Sequence, residues 1–404
     1  MEHLSVGLVG CGGMGRRHLR AYQLLAEAGA ARARVMAVCD VSRALAQDAA
    51  DLAAKLLGSR PQVMAGVPDL LAMPGIDAVD VATDPASHHT VAVPALLAGL
   101  AVLCEKPLGV TVRACRAMVT AAERSGSLLA TAENYRRDPP NQLARAVLKS
   151  GILGSVHAMV ELHAGGDDAV IISPWRHLRE HGSIALDMGV HFTDLFQYYL
   201  GDFGTVFGDS FIAEPVRRRA AVGAGPPLVI TATGDDSLVA LYRMASGARV
   251  QLTCVPSGPG RQFTQRSVHG HRGAMDVPGD RTGGALIVTL GHRVLAGAEL
   301  RDELGGFELT GVAARLFGPA GTEYDRPFEF ADIALLAIEI DDFTSAVIDQ
   351  RPPEVDGAAG LMAVAAVNAV AESALLGQAV SVPEVARGAV SSAQDPIDEM
   401  LGLI

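Results

Sequence analysis

Val6-Gly7-Leu8-Val9-Gly10-Cys11-Gly12-Gly13-Met14-Gly15 decides the fold of the first third of the chain. A short apolar run ends in glycines spaced G-x-G-x-x-G, and a segment of helical character, Met14–Ala28, follows. A dinucleotide site needs this order. Gly10 permits a tight strand-to-helix turn, Gly12 lets backbone approach a pyrophosphate, and Gly15 lets the helix pack on the strand. The helix N-terminus then offers free N–H groups and a partial positive charge to phosphates. Gly13 and Met14 belong to the same turn. The next strand candidate, Val35–Asp40, ends in an acid about 25 residues after Gly15, near the ~20 expected of a ribose-binding carboxylate. In a chain with 44 glycines the pattern alone also fits a tight turn in another α/β domain. Its place after the first strand favours the dinucleotide.

The strand–helix alternation continues outward from this turn. Further strand candidates are Ala78–Thr83, Ala101–Cys104 and Leu128–Ala132, and helical segments fall at Arg43–Leu57, His88–Ala98 and Val112–Ser125. Ser42 suits an N-cap, and Gly58, Gly99 and Gly126 suit helix stops. Apolar strands separated by helices imply a parallel sheet covered on both faces, with ligands beyond the carboxyl ends of the strands. Those ends are followed by Gly10–Gly15, Asp40, Thr83–Pro85, Glu105–Pro107 and Glu133–Tyr135.

The character changes near Pro139-Pro140. A helix, Gln142–Lys149, leads to a strand candidate, Val156–Leu162. Between about 205 and 295 the segments Leu228–Thr233, Ser237–Arg243, Arg249–Val255 and Ala285–Leu290 favour β-structure. Helical segments Ile333–Asp349 and Gly357–Leu376 close the chain. Glycine-rich connections at Gly223–Pro227, Gly279–Gly284 and Gly318–Gly321 read as surface loops. The reading is α/β, with a doubly wound parallel dinucleotide-binding domain at 1–137 and, at 138–404, a second α/β domain built on a large, mainly antiparallel open sheet.

Composition sets limits. At 404 residues the chain suggests two domains, and 49% apolar with 19% charged residues is globular. The net charge is −12 and no basic run exceeds Arg217–Arg219, so nucleic acid is not an expected partner. No segment reads as a membrane span, and the apolar start reads as a first strand, not a signal peptide. Cys11, Cys39, Cys104, Cys115 and Cys254 form no paired motif, so reduced thiols and a cytoplasmic setting are expected.

Two further constellations carry chemistry. Gly182–Asp194 opens a helix running to about Leu200, with Gly201 as its stop. Asp187 and His191 are four apart and share a face, and Ser183 and Asp194 extend the stripe. A carboxylate one turn from an imidazole suits a general base, because the acid orients the ring. The other reading is a solvated helix edge or a capped core histidine. No metal-ligand spacing occurs, so none is expected. Glu105-Lys106-Pro107 directly follows an apolar strand. A lysine there can bond a substrate oxygen and stabilise charge as hydride moves; otherwise it is an ordinary loop lysine.

Taken in order, these residues resemble the glucose–fructose oxidoreductase / inositol dehydrogenase family, written Gfo/Idh/MocA. The glycine turn, Ala82-Thr83 with His88 downstream, Cys104-Glu-Lys-Pro-Leu108, Asp187-Met-Gly-Val-His191, Ile340-Asp-Asp-Phe343, Arg351-Pro-Pro-Glu-Val355 and Ala371-Glu-Ser-Ala-Leu-Leu-Gly377 match its motifs across nearly the whole chain. The resemblance implies a Rossmann domain and NAD(P)-dependent oxidation or reduction of a sugar or cyclitol hydroxyl. It implies that Lys106 bonds the reacting oxygen, Asp187 assists and His191 accepts the proton. It places Thr83, Asp84, His88, Glu105 and Lys106 on the cofactor, with Asn134, Trp175 and Arg176 beside it. Tyr135, Arg136, Arg176 and Arg179 fall toward the substrate. Asp40 favours NAD over NADP, although Arg43 follows three residues later. The chain departs from the family at Asp84, where Pro is usual, in excess length at 205–227 and 290–330, and in the basic Trp175–Arg179 segment, which suggests either an anionic sugar or a solvated loop pairing with nearby acids such as Glu180. An NAD-dependent, redox-neutral glycosidase and a non-catalytic NAD-binding protein are the competing readings. An open sheet face also implies a homodimer or homotetramer.

Overall fold

The computed structural model describes residues 3–221, 226–258 and 260–404; part of the Gly223–Pro227 connection lies outside them. Leu4–Val9 (β1) is buried at every position but Ser5, which is why it reads as an apolar run with no alternation. It leads through the glycine turn into Gly13–Glu27 (α1), then Ala33–Cys39 (β2), Arg43–Leu57 (α2), Gln62–Val63 (β3), Val67–Leu71 (α3), Ala78–Val81 (β4), His88–Leu97 (α4), Ala101–Glu105 (β5), Val112–Ser125 (α5) and Leu129–Ala132 (β6). The six strands are parallel in the order β3-β2-β1-β4-β5-β6. The order reverses between β1 and β4, and a doubly wound sheet opens a crevice at that point. Ser42 accepts from Leu45 N to cap α2, and Gly58 ends it at φ 75°. The short β3 and α3 carry too few residues to show a period, so the sequence did not announce them.

The second part follows Pro139–Ser150 (α6). Its sheet uses Val156–Asp167 (β7), then Phe203–Phe211 (β8) after the long helix Ser183–Leu200 (α7). Val216–Arg219 (β9) and Leu228–Thr231 (β10) form a separate two-stranded ribbon, tied at Arg218 to Ala169 by a single bridge. Ser237–Met244 (β11), Arg249–Ser257 (β12), Phe263–Gly270 (β13), Ala274–Val277 (β14), Ile287–Leu290 (β15) and Arg293–Leu295 (β16) complete the meander. Gly297–Glu303 (α8), Gly311–Phe317 (α9), Phe328–Ile348 (α10), Gly357–Leu376 (α11) and Val380–Ser381 (β17) follow. The nine-stranded order is β16-β15-β14-β13-β7-β12-β11-β8-β17, antiparallel at every step except β7 with β12. The excess length therefore contributes strands as well as loops. Arg217 of the basic run is fully buried, with Nη2 donating to Asp236 at 2.7 Å.

One face of this sheet packs on α7 and α11. The other is bare: β11 alternates buried and exposed, and Phe207, Val239 and Leu241 are 57%, 43% and 49% exposed. Helix α11 is apolar enough to cross a membrane by length and composition, which the sequence reading did not register. Its neighbours explain the composition: Val364, Ala365, Ala366, Ala369 and Val370 are all fully buried, between α7, β8 and α5. Leu335, Ile340 and Phe343 of α10 join the core formed by β1 and α1. The C-terminal helices thus close back over the first sheet.

Candidate active site

Gly10 takes φ 95°, and a Cβ there would lie 2.5 Å from the Ala82 backbone. A Cβ on Gly15 would lie 2.0 Å from Gly10 O, so this glycine lets α1 dock on β1. Gly12 and Gly13 differ: nothing lies within 4 Å of either Cβ position, because both open on a cleft. That cleft has a volume of about 740 Å³, within the range of ligand pockets. It is lined by Gly10, Gly12, Gly13, Met14, Asp40, Thr83, Asp84, Glu105, Lys106, Trp175 and Arg176. Arg17, Val41, Ile172 and Ser173 also line it, and no motif announced them. The free N-terminus of α1, the open glycines and an acid at the end of β2 fit a dinucleotide. Asp40 is fixed by two backbone donors, Cys11 N and Ser42 N, each at 2.7 Å. Arg43 is exposed and does not line the cleft.

Three residues expected on the cofactor do not line the cleft. Gly15 serves packing. His88 is fully buried, its ring held between Pro107 O and Thr83 O at 3.0 and 3.2 Å, so it joins the β4 and β5 loops. Asn134 is buried and does not line the cleft. Asp84, the departure from the usual Pro, accepts from Ala86 N and meets His181 Nδ1 at 2.8 Å, tying the β4 loop to the segment before α7.

At the inner end of the cleft, Lys106 follows β5 and precedes Pro107 across a cis peptide bond. Its Nζ donates to Asp187 Oδ1 and to Asp187 O, both at 3.0 Å. Arg176 Nε donates to Asp187 Oδ2 at 2.9 Å, and its guanidinium lies 4.1 Å over the Trp175 ring. Burial alone would raise the Asp187 carboxyl, but Lys106 and Arg176 hold it well below the usual carboxylate range. Asp187 therefore does not orient His191, as spacing suggested, because both its oxygens are taken by cations. The carboxylate against the ring is Glu133, whose Oε1 lies 2.7 Å from His191 Nδ1. Glu133 stands two residues before Tyr135 at the end of β6, among the positions that topology marks. The Tyr135 ring stacks on His191 at 3.9 Å and 5°. Residues i and i+4 do share a face of α7, but that face meets two partners from different strand ends.

Two arginines expected at the substrate line neither cavity. Arg136 is buried and forks onto Asp194, with Nε to Oδ2 at 2.8 Å, its charge consumed inside the fold. Arg179 is exposed and lines neither the cleft nor the smaller cavity beside it. The basic Trp175–Arg179 segment thus offers no free pair of cations to an anion. That smaller cavity, about 210 Å³, is lined by Tyr135, Met188 and Phe192 together with His163, Thr264, Gln265, Asp280, Arg281 and Thr282. Its cations are matched: Arg266 pairs with Glu161 and with Asp280 at 2.8 Å, and Arg281 with Asp332 at 2.9 Å.

Comparison with known proteins agrees with this fold. Residues 4–133 match the description "Oxidoreductase family, NAD-binding Rossmann fold", and residues 141–276 match "GFO/IDH/MocA C-terminal domain". A levoglucosan dehydrogenase of Pseudarthrobacter phenanthrenivorans is 28% identical over 294 residues, covering 68% of this chain and 73% of that enzyme. An inositol 2-dehydrogenase of Rhizobium meliloti is 26% identical over 276 residues, covering 68% and 76%. A D-apiose dehydrogenase of Paraburkholderia graminis is 30% identical over 204 residues, covering 50% and 51%. Among solved structures, a levoglucosan dehydrogenase in complex with NADH superposes with a TM-score of 0.76 at 23% identity, covering 94% of this chain and 99% of that one, which shows a shared fold.

Proposed function

The chain belongs to the GFO/IDH/MocA oxidoreductase family, and from that membership and the site geometry we propose an NAD-dependent dehydrogenase acting on a hydroxyl of a sugar, sugar derivative or cyclitol. The observation that carries the reading is Lys106. Its ammonium has three N–H donors and gives two to Asp187, at the inner end of a cleft built for a dinucleotide. One charged donor is left for a substrate oxygen.

The chain's own groups divide the work. The N-terminus of α1 and the backbone of Gly12 and Gly13 hold the pyrophosphate. Asp40 keeps lone pairs for the ribose diol and repels a 2′-phosphate. NAD, when bound, supplies the hydride acceptor. Lys106 binds the reacting oxygen and stabilises the alkoxide as the proton leaves. His191 takes that proton at Nε2, the nitrogen facing away from Glu133. Asp187, ionised between Lys106 and Arg176, keeps both cations in place.

Purified protein is mixed with neutral sugars, cyclitols, uronates and glycosides, with and without NAD, while reduced nicotinamide and released sugar are followed together. The expected result is NADH growth that requires added NAD and a polyol. Sugar release without NADH growth would replace the dehydrogenase by a redox-neutral glycosidase. No change with any polyol would overturn the reading.

A further inference from the structure

His191 is a poor base on its own account. Burial, and then the Lys106 and Arg281 cations, hold its imidazolium far below the ordinary histidine range. A ring so placed, acting alone, has little affinity for an alcohol proton. Its contacts change that. Nδ1 lies 2.7 Å from Glu133 Oε1, and the same oxygen accepts from Tyr135 N at 3.0 Å. Glu133 is 2% exposed. Tyr135 lies flat on the imidazole, and its hydroxyl accepts from Arg281 Nη2 at 3.0 Å. The ring is clamped on one face and at one nitrogen. Nε2 makes no hydrogen bond among the described residues.

We propose that the proton acceptor of the reaction is the Glu133–His191 pair, with Glu133 as a positioning residue that acts through the imidazole. The inference rests on the dehydrogenase reading above. Ionised Glu133 accepts from Nδ1–H, so the neutral ring keeps its lone pair on Nε2. When the substrate O–H bond breaks, its proton bonds to Nε2, the Nδ1–H bond breaks, and that proton bonds to Glu133 Oε1. The pair passes from a charge of minus one to zero, and no imidazolium is left beside Lys106. Protonated Glu133 instead donates to Nδ1 and forces the ring proton onto Nε2. That form can only donate, so it serves the reverse reduction.

The surroundings set where the switch lies. Facing the pair are Lys106 and Glu105 from the end of β5 and Arg136 after β6. Asp187 and Asp194 on α7, Asp280 and Arg281 before β15, and Glu339 on α10 complete the set. Burial raises the Glu133 carboxyl to about 7 against the pull of Lys106 and Arg136. Oxidation therefore rises with pH through that region, and reduction falls.

Glu133→Gln tests the pair with two readouts. In the wild type, oxidation shows a rising limb near pH ~7. In the variant the limb is lost and kcat falls by ~10–100-fold while NAD affinity is kept, and Glu133→Asp restores the limb. The second readout needs no turnover. Ring ¹⁵N shifts of His191 in the NAD-bound protein, assigned by their loss in His191→Asn, should show an Nδ1–H ring above pH ~7 and an Nε2–H ring below it. Glu133→Gln should abolish that exchange. An Nε2–H ring at every pH in the wild type, or a limb and exchange that survive Glu133→Gln, overturns the proposal. If no polyol is oxidised, the dehydrogenase reading fails and the ring titration still decides the pair.

Discussion

Replacing Lys106 by Met removes a cation while keeping chain length and most of the volume. The side chain is 11% exposed and gives two donors to Asp187 at 3.0 Å, so a single N–H is at stake for the substrate. Loss of one donor to a developing oxyanion costs ~10²–10³ in kcat, about 2.7–4 kcal/mol. The donor here is charged and largely dehydrated, which places the expected loss near ~10³. NAD affinity should change little, because the glycine turn and Asp40 are untouched. A second effect has a fixed sign. Lys106 holds down the proton affinity of both His191 and Glu133, so its removal moves the rising limb of oxidation to higher pH. Lys106→Arg should not rescue, since a guanidinium fork matches the Asp187 carboxylate and turns away from the substrate. The assay is kcat against pH at saturating NAD and polyol, with a melting curve as the folding control. A folded Lys106→Met protein with kcat within ~5-fold of the wild type would refute the argument.

Three other outcomes follow from the same contacts. Asp40→Ala should raise the NADP/NAD ratio of kcat/KM by ~10–100-fold, because a carboxylate–phosphate repulsion of ~1–3 kcal/mol is removed; an unchanged ratio would take Asp40 off the ribose. His18, buried between Asp80 and Glu105 at 2.9 Å each, has its proton affinity opposed by burial and raised by those two acids. Its folded value exceeds the unfolded ~6.5, so its stabilisation is complete below that pH and fades as pH rises through the folded value. The Tm gap between wild type and His18→Gln should thus narrow toward alkaline pH, and a widening gap would reverse the assignment. If copies of the chain pair through the exposed face of the large sheet, Leu241→Lys should turn the oligomer into a monomer in light scattering; a monomeric wild type would show that this face does not pair copies of the chain.

The first sheet and the glycine turn were legible because each depends on local pattern: apolar strands, helix caps and glycines at fixed offsets. Lys106 was legible for the same reason, since it closes a strand. The partner of His191 was not. Helical spacing points to Asp187 and says nothing of Glu133, 58 residues away, which reaches the ring only because the turn that follows β6 packs on α7. Arg136 looks available in the sequence because sequence shows charge and not the acid that consumes it, and Arg179 because sequence does not show that its side chain lies away from the cleft. Asp194 sits on the predicted face of α7, yet only the fold brings it to Arg136. His88 was misplaced because a histidine beside a cofactor loop can face the loop's own carbonyls.

Asp187 and Glu133 are two buried carboxylates in one site, and their surroundings pull them apart. Asp187 lies between two cations and stays ionised, which suits an anchor for a lysine that must stay charged while an alkoxide forms. The carboxylate behind the base needs the opposite property. It must be able to take a proton near neutrality, and burial lifts Glu133 to about 7 without a cation bonded to it among the described residues. Had Asp187 been the partner of His191, as spacing alone suggests, it would be too acidic to share the proton, and the ring would face Lys106 as a bare imidazolium. Separating anchor from proton acceptor lets one site hold an ammonium and a base within reach of the same hydroxyl.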